Sequence, residues 1–372
     1  MSLTSIILAA GTAARLGRFK PLVKLEKSSL VERVIDTFRS ADVPDIIVVA
    51  GHRAAELADA ARPLGARVIV NDDFKSGMFS SVLAGLKALP SESAAFFLLP
   101  VDIPLIRTST LLRLIDRFHH SKPLVCYPTF RGERGHPPLI STDLTGKIVA
   151  WPGDGGLRPC LAHYEDRAVD VPVADAGILQ DMDTPEDYEW MKKRAERLSI
   201  PTTAECDALL TDGLAVPEPI RRHCRVVAQV AASLTDALNR AGCDLDPAII
   251  RAAALLHDVA RTAPNHAEQG AAVLRETGFS GIADIVESHM DLTWDESDPI
   301  GPKEVLFLAD KLVSGDRMTS LTARFQESLD RFPDDPAVRE AIRSRRQTAE
   351  AIRRRIESLT GRCLSELLAT HP

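Results

Sequence analysis

The sequence predicts an α/β domain with a mostly parallel sheet, followed by an all-α domain. Short apolar runs alternate with amphipathic stretches up to about residue 195, the pattern of βαβ units. Beyond Ser199-Ile200-Pro201-Thr202-Thr203 helical periodicity recurs, and no alternating strand follows. That stretch reads as a linker with a helix cap at Thr202 or Thr203. A length of 372 residues accommodates two domains of ordinary size, divided here as 1–197 and 198–372.

In chain order, the candidate strands are Ser5–Leu8, Asp45–Ala50, Ala66–Val70, Ala94–Leu99 and Lys122–Tyr127. Leu30, Val31, Val34, Ile35 and Phe38 lay an apolar stripe along a helix over Ser29–Ser40. In the second half His223 shares a stripe with Val226, Val227, Val230 and Leu234, and Ile249–Leu256 leads into His257-Asp258. His266 opens another helix, with Asn265 as its cap and Glu268 placed to complete a capping box. His289 aligns with Ile282, Ile285 and Val286, and Asp310 closes the run Val305–Ala309. The Arg-rich stretch Arg339–Arg355 reads as a solvated helix.

Composition narrows the function. A net charge of −7 and a pI near 5.8 weigh against a nucleic-acid partner, while leaving room for a local basic pocket for a small anion. The start, MSLTSIILAAG, has no charged leader, and its apolar run is too short for a signal peptide or a bilayer span, so no membrane partner is expected. The scattered Cys126, Cys160, Cys206, Cys224, Cys243 and Cys363, without a CxxC pair, read as the reduced thiols of a cytoplasmic protein.

The stretch LAAGTAARLGRFKPL, Leu8 to Leu22, empties an apolar strand into small residues and then places Arg15, Gly17 and Lys20 close together. It lacks the Lys-Ser/Thr ending of a Walker loop and the GxGxxG of a dinucleotide fingerprint. Its small residues still let backbone N–H groups approach a nucleotide, and Arg15 and Lys20 could neutralise phosphates. A flexible loop with chance basic residues is the competing reading. In Pro100-Val101-Asp102-Ile103-Pro104-Leu105, Asp102 stands at a strand's carboxyl end, where Mg²⁺ would find a carboxylate. Asp183 lies in a second acidic cluster, Asp181–Asp187, where capping of the helix ahead of Pro185 is the alternative role.

These segments resemble the molybdopterin nucleotidyltransferases, within the nucleotide-diphospho-sugar transferase type of Rossmann-like fold. Six stretches match in order: Leu8–Lys20; Asn71 with Gly77-Met78-Phe79-Ser80-Ser81-Val82; Pro100–Leu105; Gly135-His136-Pro137 with Leu139-Ile140; Gly153-Asp154-Gly155-Gly156; and Asp181–Asp187. The resemblance implies attack of an acceptor phosphate on the α-phosphorus of a nucleoside triphosphate, with pyrophosphate leaving. It assigns Arg15 and Lys20 to catalysis and Leu8, Ala9, Ala10, Gly11, Asn71, Ser80 and Ser81 to the nucleotide. Asp102 and Asp183 fall to Mg²⁺, and His136 and Asp154 to the acceptor. Ala10, where guanylyl members tend to have glycine, points to CTP over GTP. The implied partners are CTP or another NTP, molybdopterin or a similar phosphorylated acceptor, and a molybdoenzyme or its maturation chaperone. Transfer of another nucleotide to an unrelated phosphorylated acceptor is the alternative.

The second half carries its own chemistry. Burying several imidazoles with two carboxylates is costly unless a cation pairs with them, and such a donor set suits Fe, Mn, Co or Zn. The order His223, His257-Asp258, His266, His289, Asp310 resembles the HD-domain phosphohydrolases over roughly Arg221–Arg317. The resemblance implies that His223, His257, Asp258 and Asp310 form the basic metal set, that His266 and His289 add a second metal, and that Asp258 bridges the two. A degenerate HD domain kept for packing, binding or regulation is the alternative.

Overall fold

The computed structural model describes residues 2–11 and 16–369, which divide after Leu198 into two compact units. The first unit begins with β1 (Ser2–Ala9), the hairpin β2 (Lys24–Leu25) and β3 (Ser28–Ser29), and α1 (Leu30–Ser40). Next come β4 (Asp45–Ala50), α2 (Ala54–Ala61), β5 (Arg67–Val70), α3 (Met78–Lys87), β6 (Ser93–Pro100) and α4 (Thr108–Ser121). It ends with β7 (Val125–Phe130), β8 (Glu133–Arg134), β9 (Leu139–Ser141), α5 (Thr145–Val149), α6 (Leu157–Ala162), β10 (Ala168–Pro172) and α7 (Pro185–Glu196).

One sheet runs in the order β10-β7-β9-β6-β1-β4-β5, with β8 paired to β7. The pairs β1–β4, β1–β6, β4–β5 and β7–β10 are parallel, and β9 runs antiparallel between β6 and β7. The consecutive residues Ile6 and Ile7, Ile47 to Val49, and Phe96 and Phe97 are all fully buried. Since successive side chains point to opposite faces, helices must cover both sides, as a parallel sheet requires. On one face Phe97 meets Phe38 of α1, with ring centroids 5.5 Å apart. On the other, Ile6, Ile47, Val49 and Phe96 pack with Val82 and Leu86 of α3. Helix α3 lies so close to β1 that a Cβ at Gly85 would stand 2.6 Å from Ile6. Helix α1 starts where Ser29 and Glu32 close a capping box.

The register pairs Leu8 with Pro100, so the carboxyl ends of β1 and β6 stand side by side. This sets Gly11 and Asp102 at one edge of the sheet, where open parallel sheets place their ligands. The strand expected over Lys122–Tyr127 instead starts at Val125 and runs to Phe130. Lys122 is the left-handed residue that ends α4 (φ 44°).

The second unit contains α8 (Thr203–Ala208), α9 (Glu218–Arg240), α10 (Pro247–Leu256), α11 (His266–Glu276), α12 (Ser280–Glu287) and α13 (Pro302–Lys311). The hairpin β11 (Val313–Ser314) and β12 (Arg317–Met318) follows, then α14 (Leu321–Arg331), α15 (Pro336–Thr360) and α16 (Leu364–Leu368). Thr202 caps α8 in a capping box with Glu205. This short hairpin stands beside the expectation that no alternating strand follows the linker. Each strand of this hairpin has two residues, too few for alternation to show.

Two further expectations fail. Asn265 precedes α11 in the left-handed conformation (φ 49°) and makes no side-chain cap, so the box with Glu268 does not form. A capping side chain reaches the first-turn amides from extended backbone, which this residue does not have. Helix α15 is not merely solvated: Ile342, Ala349, Ile352 and Ile356 are buried along one face. Arginines with long apolar stems, such as Arg353 paired with Glu350 and Glu357, flank that stripe and masked it. No helix among the described residues is long and apolar enough to cross a membrane. All six cysteines are free thiols.

If the α3–β1 contact holds the sheet as described, Gly85→Leu lowers unfolding free energy by about 3 kcal/mol or more in urea titration. Gly146→Ala, where the added methyl meets open space in α5, leaves stability unchanged or raises it by up to about 1 kcal/mol.

Candidate active sites

At the carboxyl edge of the first unit's sheet lies a cleft of about 500 Å³. Leu8, Ala9, Ala10 and Gly11 line one wall, Lys20 and Asp102 sit in it, and Phe74, Lys75, Gly77 and Met78 form the other side. Lys20 follows the buried Phe19, whose ring packs against His52 and lies under the Arg53 guanidinium. Its Nζ donates to Asp102 Oδ2 at 2.9 Å and to Asp183 Oδ1 at 2.5 Å. Burial opposes the Lys20 charge, but the hydrogen bonds and charges of Asp183 and Asp102 hold its pKa above the ordinary value.

The two carboxylates are tied by backbone as well, since Met182 N–H donates to the Asp102 carbonyl at 2.9 Å. Capping of α7 falls to Thr184 and Asp187; the Asp187 carboxylate accepts from the backbone N–H groups of Asp183 and Thr184. Asp183 is thereby left with its carboxylate turned to Lys20. Lys20, Asp102 and Asp183, far apart in sequence, thus converge on one point. Arg15 lies outside the described residues.

The other residues singled out in the first unit have distinct surroundings. Asn71 is buried and donates to Ser80 Oγ (2.9 Å) and Ser81 Oγ (3.0 Å), while its Oδ1 accepts from the Asp73 N–H. Its amide braces the loop between β5 and α3, and of this group Ser81 lines the cleft. Ala10 is 5% exposed, and a Cβ on Gly51 would stand 2.8 Å from its methyl, so glycine at 51 makes room for it. His136 is largely buried with Nδ1 unpartnered, and burial lowers its pKa. Asp154 is exposed in the turn before α6, and the neighbouring Gly153 lies against the Phe79 ring.

In the second unit α9, the end of α10, the start of α11, the end of α12 and the end of α13 bring six side chains together. Asp258 stands at the centre, 2% exposed. Its Oδ2 faces His223 Nε2 (3.7 Å) and His257 Nε2 (3.6 Å), and its Oδ1 faces His266 Nε2 (3.4 Å) and His289 Nε2 (3.5 Å). Asp310 Oδ1 joins the first pair at 3.2 Å from His223 and 3.5 Å from His257. Nδ1 of His223, His257 and His289 contacts the carbonyl oxygens of Gly315, Ala254 and Val286. A carbonyl only accepts, so Nδ1 carries a proton and Nε2, the nitrogen that a metal would use, points inward.

The Nε2 atoms of His257, His266 and His289 are buried without a hydrogen-bond partner. Orphaned ring nitrogens around a shared carboxylate are the donor set of a cation, and His223-His257-Asp258 and Asp258-His266-His289 each have ligand atoms close enough to hold a metal ion. Burial opposes ionisation of both carboxyls, yet the charge of His257 beside Asp258 and of Lys311 beside Asp310 keeps both far below the usual range. Burial also opposes protonation of His257, and Asp258 overcomes it. The field that draws a proton onto His257 would equally draw a metal ion. His257 and His289 are wholly buried, whereas His223 and His266 are 12% and 16% exposed, which puts the approach on their side.

Both halves of the chain are similar to known proteins. A MobA-like NTP transferase domain matches residues 5–169 and an HD domain matches residues 220–315. Molybdenum cofactor cytidylyltransferase of Escherichia coli (strain K12) is 29% identical over 193 residues, covering 51% of this chain and 95% of the relative. Nicotine blue oxidoreductase of Paenarthrobacter nicotinovorans is 30% identical over 190 residues, 49% of this chain and 93% of the relative. The chain belongs to the MobA-like NTP transferase family and carries an HD domain behind it. Among solved structures, Rv0371c of Mycobacterium tuberculosis H37Rv aligns at 26% identity and a TM-score of 0.44, over 52% of this chain and 98% of that one.

Basic residues at both sites escaped the sequence reading. In the transferase domain Lys75 lines the cleft. In the HD domain Arg261 reaches both oxygens of Asp258 at 3.2 Å. Arg261 stands three residues after Asp258 in the turn that follows α10, where its N–H donates to the Asp258 carbonyl.

The donor set leads to a direct expectation. The full chain, purified without chelator and analysed by inductively coupled plasma mass spectrometry, retains transition metal, and chelation lowers its melting temperature. His257→Ala with His289→Ala abolishes both effects; metal content equal to wild type in that variant would contradict the assignment.

Proposed function

We propose that the chain is a Mg²⁺-dependent cytidylyltransferase that moves CMP from CTP to molybdopterin, releasing pyrophosphate, and that its HD domain is a metal-dependent phosphohydrolase. On this reading residues 1–197 form the transferase domain, and 198–372 the linker and HD domain. The observation that carries the first part is the convergence of Lys20, Asp102 and Asp183 in the cleft at the sheet's carboxyl edge. The E. coli relative's name, a cytidylyltransferase of the molybdenum cofactor, supports the choice of nucleotide and acceptor, as does Ala10.

An acceptor phosphate is already anionic at neutral pH, so attack on the α-phosphorus needs no general base. Its oxygen forms the new P–O bond while the bond to the β-phosphate oxygen breaks and pyrophosphate departs. Catalysis is then positioning and charge compensation. Asp102 and Asp183 would hold Mg²⁺, which when bound neutralises the triphosphate. Lys20 then turns its ammonium from the carboxylates to the phosphates, and Arg15 adds a second positive charge. Gly11 and the small residues before it let the nucleotide lie close to the backbone, with Ser81 on the facing wall and Asn71 and Ser80 bracing the loop that carries it. His136, whose surroundings disfavour its charged form, and Asp154 meet the acceptor. A molybdoenzyme or its maturation chaperone would receive the product.

In the HD domain His223, His257, Asp258 and Asp310 would hold one ion of Fe, Mn, Co or Zn, and His266, His289 and Asp258 a second. Such ions, when bound, activate water and polarise a phosphoryl group. Arg261, 41% exposed beside Asp258, is placed to orient an incoming phosphate.

With CTP and molybdopterin, wild type releases pyrophosphate, and Lys20→Ala lowers that rate by roughly 10²–10³-fold with an unchanged circular dichroism spectrum. Full activity in Lys20→Ala would remove the assignment. His257→Ala leaves pyrophosphate release intact and eliminates hydrolysis of a phosphoester probe.

A further inference from the structure

Lys311 is 5% exposed, an unusual position for a lysine. Its Nζ donates to Asp310 Oδ2 at 2.5 Å and to the His289 carbonyl at 3.1 Å, and lies 4.7 Å from the centre of the Phe307 ring. Two of its three donors are therefore committed to oxygen, and the ammonium also lies beside an aromatic ring. Asp258 and Asp310 are consequently used differently. Asp258 turns one oxygen to each imidazole pair, whereas Asp310 turns only Oδ1 to His223 and His257.

We propose that Lys311 is a positioning residue that restricts Asp310 to one ligating oxygen and trades metal affinity for affinity toward anionic substrates. The proposal rests on the metal-dependent reading of the HD domain. By occupying Oδ2, Lys311 denies a cation the second oxygen of that carboxylate. Its charge also reduces the summed charge of the two carboxylates from −2 to −1. A cluster selected only to grip a cation gains nothing from a buried ammonium beside its ligand; one that must admit phosphate does. Through the His289 carbonyl, Lys311 further ties the backbone of the second imidazole pair to the carboxylate of the first.

The test is a Mn²⁺ titration of the full chain, followed by electron paramagnetic resonance. It is carried out in an Asp102→Asn background so that the transferase carboxylates do not compete for the ion. Lys311→Met binds its first Mn²⁺ roughly tenfold or more tightly, is less stable than the parent without metal, and gains more in melting temperature when Mn²⁺ is added. Its hydrolysis of bis(p-nitrophenyl) phosphate falls roughly 10–100-fold. Lys311→Arg, which restores the charge, keeps the parent affinity and most of the activity. Lys311→Gln retains a hydrogen-bond donor without charge and carries the same expectation should Lys311→Met not fold. Unchanged or weaker Mn²⁺ binding in the neutral variants would reduce Lys311 to a packing role and overturn the proposal. A parent that takes up no Mn²⁺ would instead remove the metal reading of the HD domain, and this inference with it.

Discussion

Carboxylates gathered at one point must face a positive charge, and both sites of this chain are organised by that requirement. In the transferase domain Asp102 and Asp183 meet at the ammonium of Lys20. In the HD domain Asp258 and Asp310, 2% and 3% exposed, are ringed by four imidazoles and flanked by Lys311. The HD cluster is not a cheap way to stabilise a fold, because buried ion pairs seldom outperform apolar packing of the same volume. Its retention is more readily explained by charged ligands that exchange with the protein's own cations.

The surrounding structure serves to bring these groups together. A parallel sheet buried on both faces fixes where β1 and β6 end, and the Met182–Asp102 backbone bond draws the segment ahead of α7 to that edge. Thr184 and Asp187 take over the capping of α7, so the neighbouring Asp183 is available to the site. In the HD domain the ligands cluster at helix ends, where a chain can turn inward: His257 caps α10, His266 opens α11, and Asp310 stands in the last turn of α13.

Much of this was legible in the sequence, for identifiable reasons. Ile46–Ala50 is an uninterrupted apolar run behind Asp45, and the strand spans Asp45–Ala50 as expected. Histidines sharing stripes with valine and isoleucine had to be buried, which made them conspicuous. Asn265 was misread because its capping chemistry depends on a backbone angle that composition does not reveal. The apolar face of α15 was hidden by arginines whose stems cover it. Lys75 and Arg261 escaped because a basic residue near a helix end ordinarily means solvent, and only tertiary contact shows which ones face inward.

Family membership alone leaves the chemistry open, since one relative is named a cytidylyltransferase and another an oxidoreductase. The decisive point is the fate of the α-phosphate. Incubation with CTP labelled at that position, in the presence of molybdopterin and Mg²⁺, followed by chromatography of the products, tests it directly. The account requires label in a cytidylyl–molybdopterin adduct and none in the released pyrophosphate. Label remaining in CTP, or appearing only as free CMP, would contradict it.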